Sequence, residues 1–343
     1  MSWPRIVKVL FDHAQPFALA HGGFQIQIEQ SKRALETAGV DVEWLRWWDD
    51  SQKADLIHYF GTPHNAYVEQ ARCVNLPLVL TPLFTETCNR SVGRLTRQGW
   101  MVRAILSLPF GGGIKRQLSW QTYHKCAHNV VGLEAERRVL QLVYRVPLPN
   151  ISVVPLGLSQ TYLNAGAGAR NETHLITTGT ITGRKNSVAL AEMARAAQIP
   201  ILFVGKSYHP TDPYWRRFEK LIDGRWVKHH AHVGSEAEMI HLLHAARGFV
   251  LMSEYENWCL SAHEAAACGL PLLVQDQPWS RERFGDQAHY FQRIGVSRQN
   301  IEMLRRFYAE APGLAAPAVK LPGWDEVGRQ LRTVYELVLS TSR

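Results

Sequence analysis

The stretch "SEYENWCLSAHEAAACGLPLLV", residues 253–274, decides how the rest of the chain is read. It is entered from the apolar run "GFVLMS" and left through "PLLVQ", both strand-like. Between them an alanine-rich helix starts near Leu260 and is stopped by Gly269 and Pro271. Strand, loop, helix and strand in succession are the building unit of a parallel α/β sheet. Two acids stand inside it with seven residues between them: Glu256 in the loop and Glu264 in the helix.

The same alternation runs outward in both directions. "RIVKVLF", "VDVEWL", "ADLIHYF", "PLVLTP", "NVVGL" and "ISVVPLG" read as strands, with a helix from about Phe24 to Ala38 after the glycine loop "AHGG". "NAGAGARNE", residues 164–172, is small and polar and reads as a linker. The pattern then restarts with strand "HLITTG", a helix from Ser187 to Gln198, strand "PILFVG" and helix "EAEMIHLLHAA". The expectation is therefore an α/β chain of two Rossmann-like domains facing each other across a cleft. Residues 1–163 form the first, 164–172 the linker and 173–310 the second; the tail 311–343 carries an amphipathic helix free to pack back on the first.

Composition agrees. At 343 residues the chain exceeds what one core usually organises, and with 46% apolar and 20% charged residues it is a globular sequence. A net charge of +8 favours an anionic partner: a phosphate ligand, an acidic membrane surface or nucleic acid. No compact Lys/Arg run or zinc-finger spacing supports nucleic acid, which we set aside. Five scattered cysteines without C-x-x-C fit reduced thiols in a cytosolic protein. The N-terminus lacks a signal-peptide layout, and no run is long and apolar enough to span a bilayer.

In open parallel sheets ligands sit beyond the carboxyl ends of strands, so Glu256 falls at a binding edge. The unpaired backbone N–H groups at the helix start, Trp258, Cys259 and Leu260, favour an anion such as a diphosphate. A carboxylate pairs naturally with a vicinal diol, which suits Glu264 to a ribose and Glu256 to a second sugar. The plainer reading makes Glu264 an acid favoured by the helix dipole and Glu256 a solvated loop residue.

The motif "SEYENWCLSAHEAAACGLP" resembles the E-x7-E signature of retaining, nucleotide-sugar-dependent glycosyltransferases of the two-domain GT-B fold, the group called family 4. "GFQIQIEQSKRALETAGVDVEWL" is similar to that family's first glycine loop and helix, and "ISVVPLGL" to its interdomain crossing. "TTGTITGRKNSVALAEM" is similar to its phosphate loop, and "LVQDQPWSRERFGDQAHYF" to the segment after the second Glu. The resemblance covers most of the chain. It implies transfer of a sugar from a nucleotide-diphosphate donor to a hydroxyl acceptor, sugar or glycolipid, with retained anomeric configuration. It also implies ribose binding by Glu264, donor-sugar binding by Glu256, no bound metal and no cofactor beyond the donor substrate. Surface-polysaccharide assembly is the expected setting.

The resemblance puts further residues forward. The family's phosphate loop opens on Gly-Arg with a Lys five residues after the Arg; Gly179, Thr180 and Lys185 occupy those places. One expected cation is thus replaced by Thr180, and Arg184 is the neighbour able to substitute. A diphosphate leaving group develops negative charge, so the resemblance implies Lys185, with Arg184, as catalytic cations beside Glu256. Gly22 and Gly23, in "HGG" with His21, match the loop that approaches phosphates or acceptor. Lys206, in "FVGKSY", and "HVG" at 232–234 fall where relatives hold the base through backbone groups. Many relatives carry a His after the fourth strand; "LTPLFTETC" has none, and His58, His64 and Glu86 lie nearby. "WWDD", residues 47–50, lacks metal-site spacing and reads as surface acid. Residues 90–125 mix seven Lys/Arg with Trp100, Met101 and Trp120, and fit either a face lying on an anionic membrane or a half-buried helix pair.

Two rival functions share this architecture: a catalytically weak nucleotide-sugar-binding protein, and a sugar-nucleotide epimerase or hydrolase.

Overall fold

The computed structural model describes residues 6–17, 22–108, 118–170, 173–231 and 233–341. The chain divides into two compact units, Met1–Gly157 with Pro322–Arg343, and Leu158–Leu321. The division falls ahead of the 164–172 stretch, because Leu158 and Tyr162 are buried in the second unit's core. Within that stretch, Gly168 lies so close to His244 that a Cβ would meet it at 2.3 Å, and the Arg170 N–H donates to the His244 carbonyl. Gly168 thus serves close packing, whereas Gly166, at φ 63°, has open space around it. Residues 171 and 172 lie outside the described residues.

The first unit is built on six parallel strands: β1 Lys8–His13, β2 Asp41–Trp44, β3 Leu56–Phe60, β4 Leu78–Thr81, β5 His128–Val131 and β6 Ile151–Val153, in the order β2-β1-β3-β4-β5-β6. Its helices are α1 Gly23–Thr37, α2 Asn65–Cys73, α3 Val92–Ser107, α4 Thr122–Lys125 and α5 Glu134–Leu142. β3, "LIHYF", is buried at every position, as a strand covered on both faces must be.

The second unit holds β7 Leu175–Thr178, β8 Ile201–Val204, β9 Val227–His230, β10 Gly248–Leu251, β11 Leu272–Gln275 and β12 His289–Phe291, ordered β12-β11-β10-β7-β8-β9 and parallel throughout. Its helices are α6 Gln160–Leu163, α7 Ser187–Ala197, α8 Pro213–Glu219, α9 Glu236–Ala245, α10 Leu260–Ala267, α11 Pro278–Phe284 and α12 Arg298–Glu310. This is the doubly wound Rossmann order, in which the chain reverses direction across the sheet between its first and fourth strands, here β7 and β10. The loops after these two strands therefore diverge at one crevice.

The last helix, α13 Trp324–Thr341, returns to the first unit. Its stripe Val327, Leu331, Val334, Tyr335 and Val338 is buried with Ile28 and Leu35 of α1. Gly328 makes the approach possible: a Cβ there would stand 2.2 Å from the Ala34 carbonyl oxygen. Among the described residues no helix is long and apolar enough to cross a membrane.

Candidate active site

The loops after β7 and β10 are laced together before any ligand is considered. The Asn186 side-chain amide donates to the Met252 carbonyl at 3.1 Å, and the Glu254 N–H donates to the Arg184 carbonyl at 3.0 Å. Arg184 also donates to the Tyr255 carbonyl at 2.8 Å. Asn186, in the left-handed region at φ 51°, turns the first loop directly into α7. Gly179 sits at φ 137°, and the backbone of Gly205 presses on its carbonyl so closely that a side chain on Gly205 would meet that oxygen at 2.1 Å.

These loops bring Glu256, Lys185 and Arg184 onto one point. The Lys185 ammonium and the Arg184 guanidinium each lie 2.7 Å from Glu256 Oε1, and the Ser253 hydroxyl donates to the same oxygen at 2.6 Å. Glu256 is only 8% exposed. Burial alone would push its carboxyl up, but Lys185 and then Arg184 hold it below the usual carboxylate range. Thr180 is half-buried in the same loop, and Arg184 supplies the second positive charge on Glu256.

Glu264 meets the opposite environment. It is half-buried on α10, and its carboxylate has no hydrogen-bond partner among the described residues. Burial, then the carboxylate of Glu236 at the start of α9, pushes its carboxyl up to about 7, with Lys185 pulling the other way. Glu236 is itself held by the Ser159 hydroxyl at 2.8 Å. The buried Tyr162 hydroxyl is raised by burial and then by the same two acids.

The remaining expected residues fall as follows. Cys259 caps α10 at φ 51° with its side chain in the core; burial, then Glu256, pushes its thiol up to about 12, so only its backbone is available to an anion. Leu260 begins α10 and packs on the same core. Trp258 lies under the Arg283 guanidinium at 4.8 Å, with its indole N–H buried and unpaired among the described residues. Lys206 follows β8 and is exposed, and its ammonium joins no ion pair among the described residues. Gly22 and Gly23 stand in the first unit at the start of α1, Gly22 at φ 132° and Gly23 with open space where a Cβ would point. His21 and His232 lie outside the described residues.

The histidines near β4 are structural or peripheral. His58 is fully buried between the Tyr335 and Thr81 hydroxyls, at 2.6 and 2.7 Å, and burial lowers its ring to about 3. Glu86 is exposed and pairs with Arg90 at 2.8 Å. Reading the sequence missed Ser253 and Glu236, which complete the environments of the two glutamates. Ser253 was signalled by its place three residues before Glu256; Glu236 had no signal, since it approaches Glu264 through the fold. Among the described residues no group of three or more His, Cys, Asp or Glu gathers as a metal site.

Residues 168–306 match the family model described as Glycosyl transferases group 1. O-antigen chain mannosyltransferase B of Escherichia coli is 27% identical over 173 residues, 47% of this chain and 45% of that protein, so the match spans about half the relative's length. Among solved structures, sucrose-phosphate synthase from Thermosynechococcus elongatus is 16% identical with a TM-score of 0.67, covering 97% of this chain and 100% of that one. HepE of Anabaena, in complex with UDP and glucose, is 12% identical with a TM-score of 0.63, covering 96% and 99%. At such identities these structures speak to fold. The chain thus has the GT-B fold, and residues 168–306, within its second unit, are similar to the glycosyl transferases group 1 family.

Proposed function

We propose that the chain is a retaining glycosyltransferase that moves a sugar from a nucleotide-diphosphate donor to a hydroxyl acceptor. The observation that carries the reading is the convergence of Lys185, Arg184 and Ser253 on Glu256 beside a half-buried Glu264 lacking a partner. Glu264 would accept the ribose hydroxyls. Glu256 would orient the donor sugar and hold the two cations in place. As the sugar–phosphate bond breaks, negative charge grows on the diphosphate, and Lys185 and Arg184 stabilise it there. Backbone N–H groups of Trp258 to Leu260 would add donors to the phosphates. The kinship with an O-antigen mannosyltransferase favours a nucleotide-sugar donor and a role in surface polysaccharide or glycolipid assembly.

The reading places the protein in the cytosol, peripheral on an anionic membrane face. α3 supports this. It buries Leu95, Gly99 and Val102 and turns Arg94, Arg97, Trp100 and Met101 outward, and it contains no acid. Lys115 and Arg116 of the same basic segment lie outside the described residues. Equal sedimentation with anionic and neutral vesicles would remove the membrane contact.

Product analysis by NMR tests the activity. Transfer to an added acceptor with retained anomeric configuration supports it. Conversion of donor alone would make the chain an epimerase or hydrolase, and donor binding without turnover across a broad acceptor panel would make it a binding protein.

A further inference from the structure

β2 ends at Trp44, and the loop that follows holds two tryptophans in water: Trp47 is 73% exposed and Trp48 83%. Indoles normally bury most of their surface, so an adjacent pair left out needs a cause. The loop beneath them is pinned. Gln52 accepts from the Arg46 N–H at 2.9 Å and donates to the Trp44 carbonyl at 3.0 Å and to Glu43 at 2.9 Å. Asp49 takes the Arg46 guanidinium on one oxygen, at 2.7 and 2.9 Å, and the Ser51 hydroxyl and N–H on the other, at 2.6 and 3.1 Å. Trp47 leans on Tyr67 at 6.1 Å between ring centroids, and the Tyr67 hydroxyl donates to the buried Asp12 at 2.8 Å. The indoles are thus displayed by a preorganised loop at the carboxyl end of β2, the edge strand of its sheet.

We infer that Trp47 and Trp48 form a stacking platform for a saccharide, the acceptor of the transfer reaction. This rests on the glycosyltransferase reading and supplies its acceptor class. A pyranose presents an apolar face of C–H groups that packs on an indole, and a rim of hydroxyls that donate to carboxylates. Asp50, next to the pair, is exposed and has no hydrogen-bond partner among the described residues. Charge separates this occupant from a bilayer or a nucleic acid. Around β2 and its loop Asp41, Glu43, Asp49, Asp50 and Asp55 outnumber Lys8, Arg46 and Lys53, so an anionic surface is repelled, whereas the acid-free basic helix of this unit is α3.

The test titrates soluble gluco-, manno- and chito-hexaoses by isothermal calorimetry into the wild-type chain and into Trp47→Ala/Trp48→Ala. At least one hexaose should bind, with affinity falling tenfold or more in the double variant and substantially restored in Trp47→Tyr/Trp48→Tyr, which keeps aromatic faces. Unchanged melting temperatures exclude misfolding, and the tyrosine variant provides the readout if the alanine variant does not fold. Binding by no hexaose, or equal binding by all three chains, overturns the platform. So does a wild-type dimer that the alanine variant dissolves, because the indoles would then be a contact between copies. Nucleotide-sugar affinity, measured alongside, fails only if the donor reading is wrong, and so separates the two outcomes.

Discussion

Glu256 and Glu264 belong to one strand–loop–helix unit and are both drawn out of water, yet their surroundings are opposite. Around Glu256 the protein supplies everything: two cations and a hydroxyl on a single oxygen. Around Glu264 it supplies a second carboxylate and no hydrogen bond among the described residues. A buried charge with its partners in place is a finished structural element, whereas one kept near a like charge leaves its hydrogen bonds to an incoming molecule. On the proposed reading, the first acid holds the cations and orients the donor sugar, and the second meets the ribose.

The largest effect should come from Glu256→Gln. It leaves Lys185 and Arg184 facing each other without their anion. Urea denaturation at pH 7.5 should show a loss of about 3 kcal/mol, and turnover should fall by about 100-fold or more. Lys185→Ala should lower turnover by about 100-fold while costing about 1 kcal/mol in stability, since Arg184 still covers Glu256. Equal losses of turnover and stability would make the cluster merely structural and erase the contrast.

Next comes pH, where the two acids carry opposite signs. The folded Glu256 carboxyl lies below its unfolded value, so its stabilisation is present above the unfolded pKa and is lost as pH falls through the folded one. Glu264 is raised to about 7 from 4.5, so its contribution is present below 4.5 and is lost as pH rises toward 7. Glu264→Gln should therefore match the wild type in urea midpoint at pH 5, exceed it at pH 8, and still raise the donor KM about tenfold by losing an ionic acceptor. A variant less stable at pH 8 than the wild type would break the comparison. The smallest effect belongs to Glu236→Gln. Removing the like charge should move the pH midpoint of donor KM downward by less than about one unit; an upward movement would contradict the proposed repulsion.

Much of this was legible in the sequence. The central strands are near-continuous apolar runs, "LIHYF" and "LITT" among them, and glycines or prolines close them. β9, "VKHH", and β12, "HYF", escaped notice because they are the two edges of their sheet, short and rich in histidine, with a neighbour on one side only. The 164–172 stretch suggested a linker by composition, but smallness serves close packing as readily as flexibility, as Gly168 against His244 shows. In the site, the carboxylates and the cationic turn came forward through the resemblance of their motifs to the family's. The pairing of Arg184 with Glu256 could not be read, because two residues 72 apart in sequence meet only through the strand order β10-β7. Nor could the surplus acid Glu236, or the exposure of Trp47 and Trp48, whose "WWDD" signals charge before it signals display.

The central claim is that the cationic turn and the two acids form a seat for a sugar diphosphate. Calorimetric titration of UDP-, GDP-, ADP- and dTDP-sugars into the wild type and Lys185→Ala measures this directly. The account predicts that at least one of them binds the wild type and binds the variant about tenfold or more weakly, a difference of about 1.4 kcal/mol. Binding of none, or equal affinity in both chains, would contradict it.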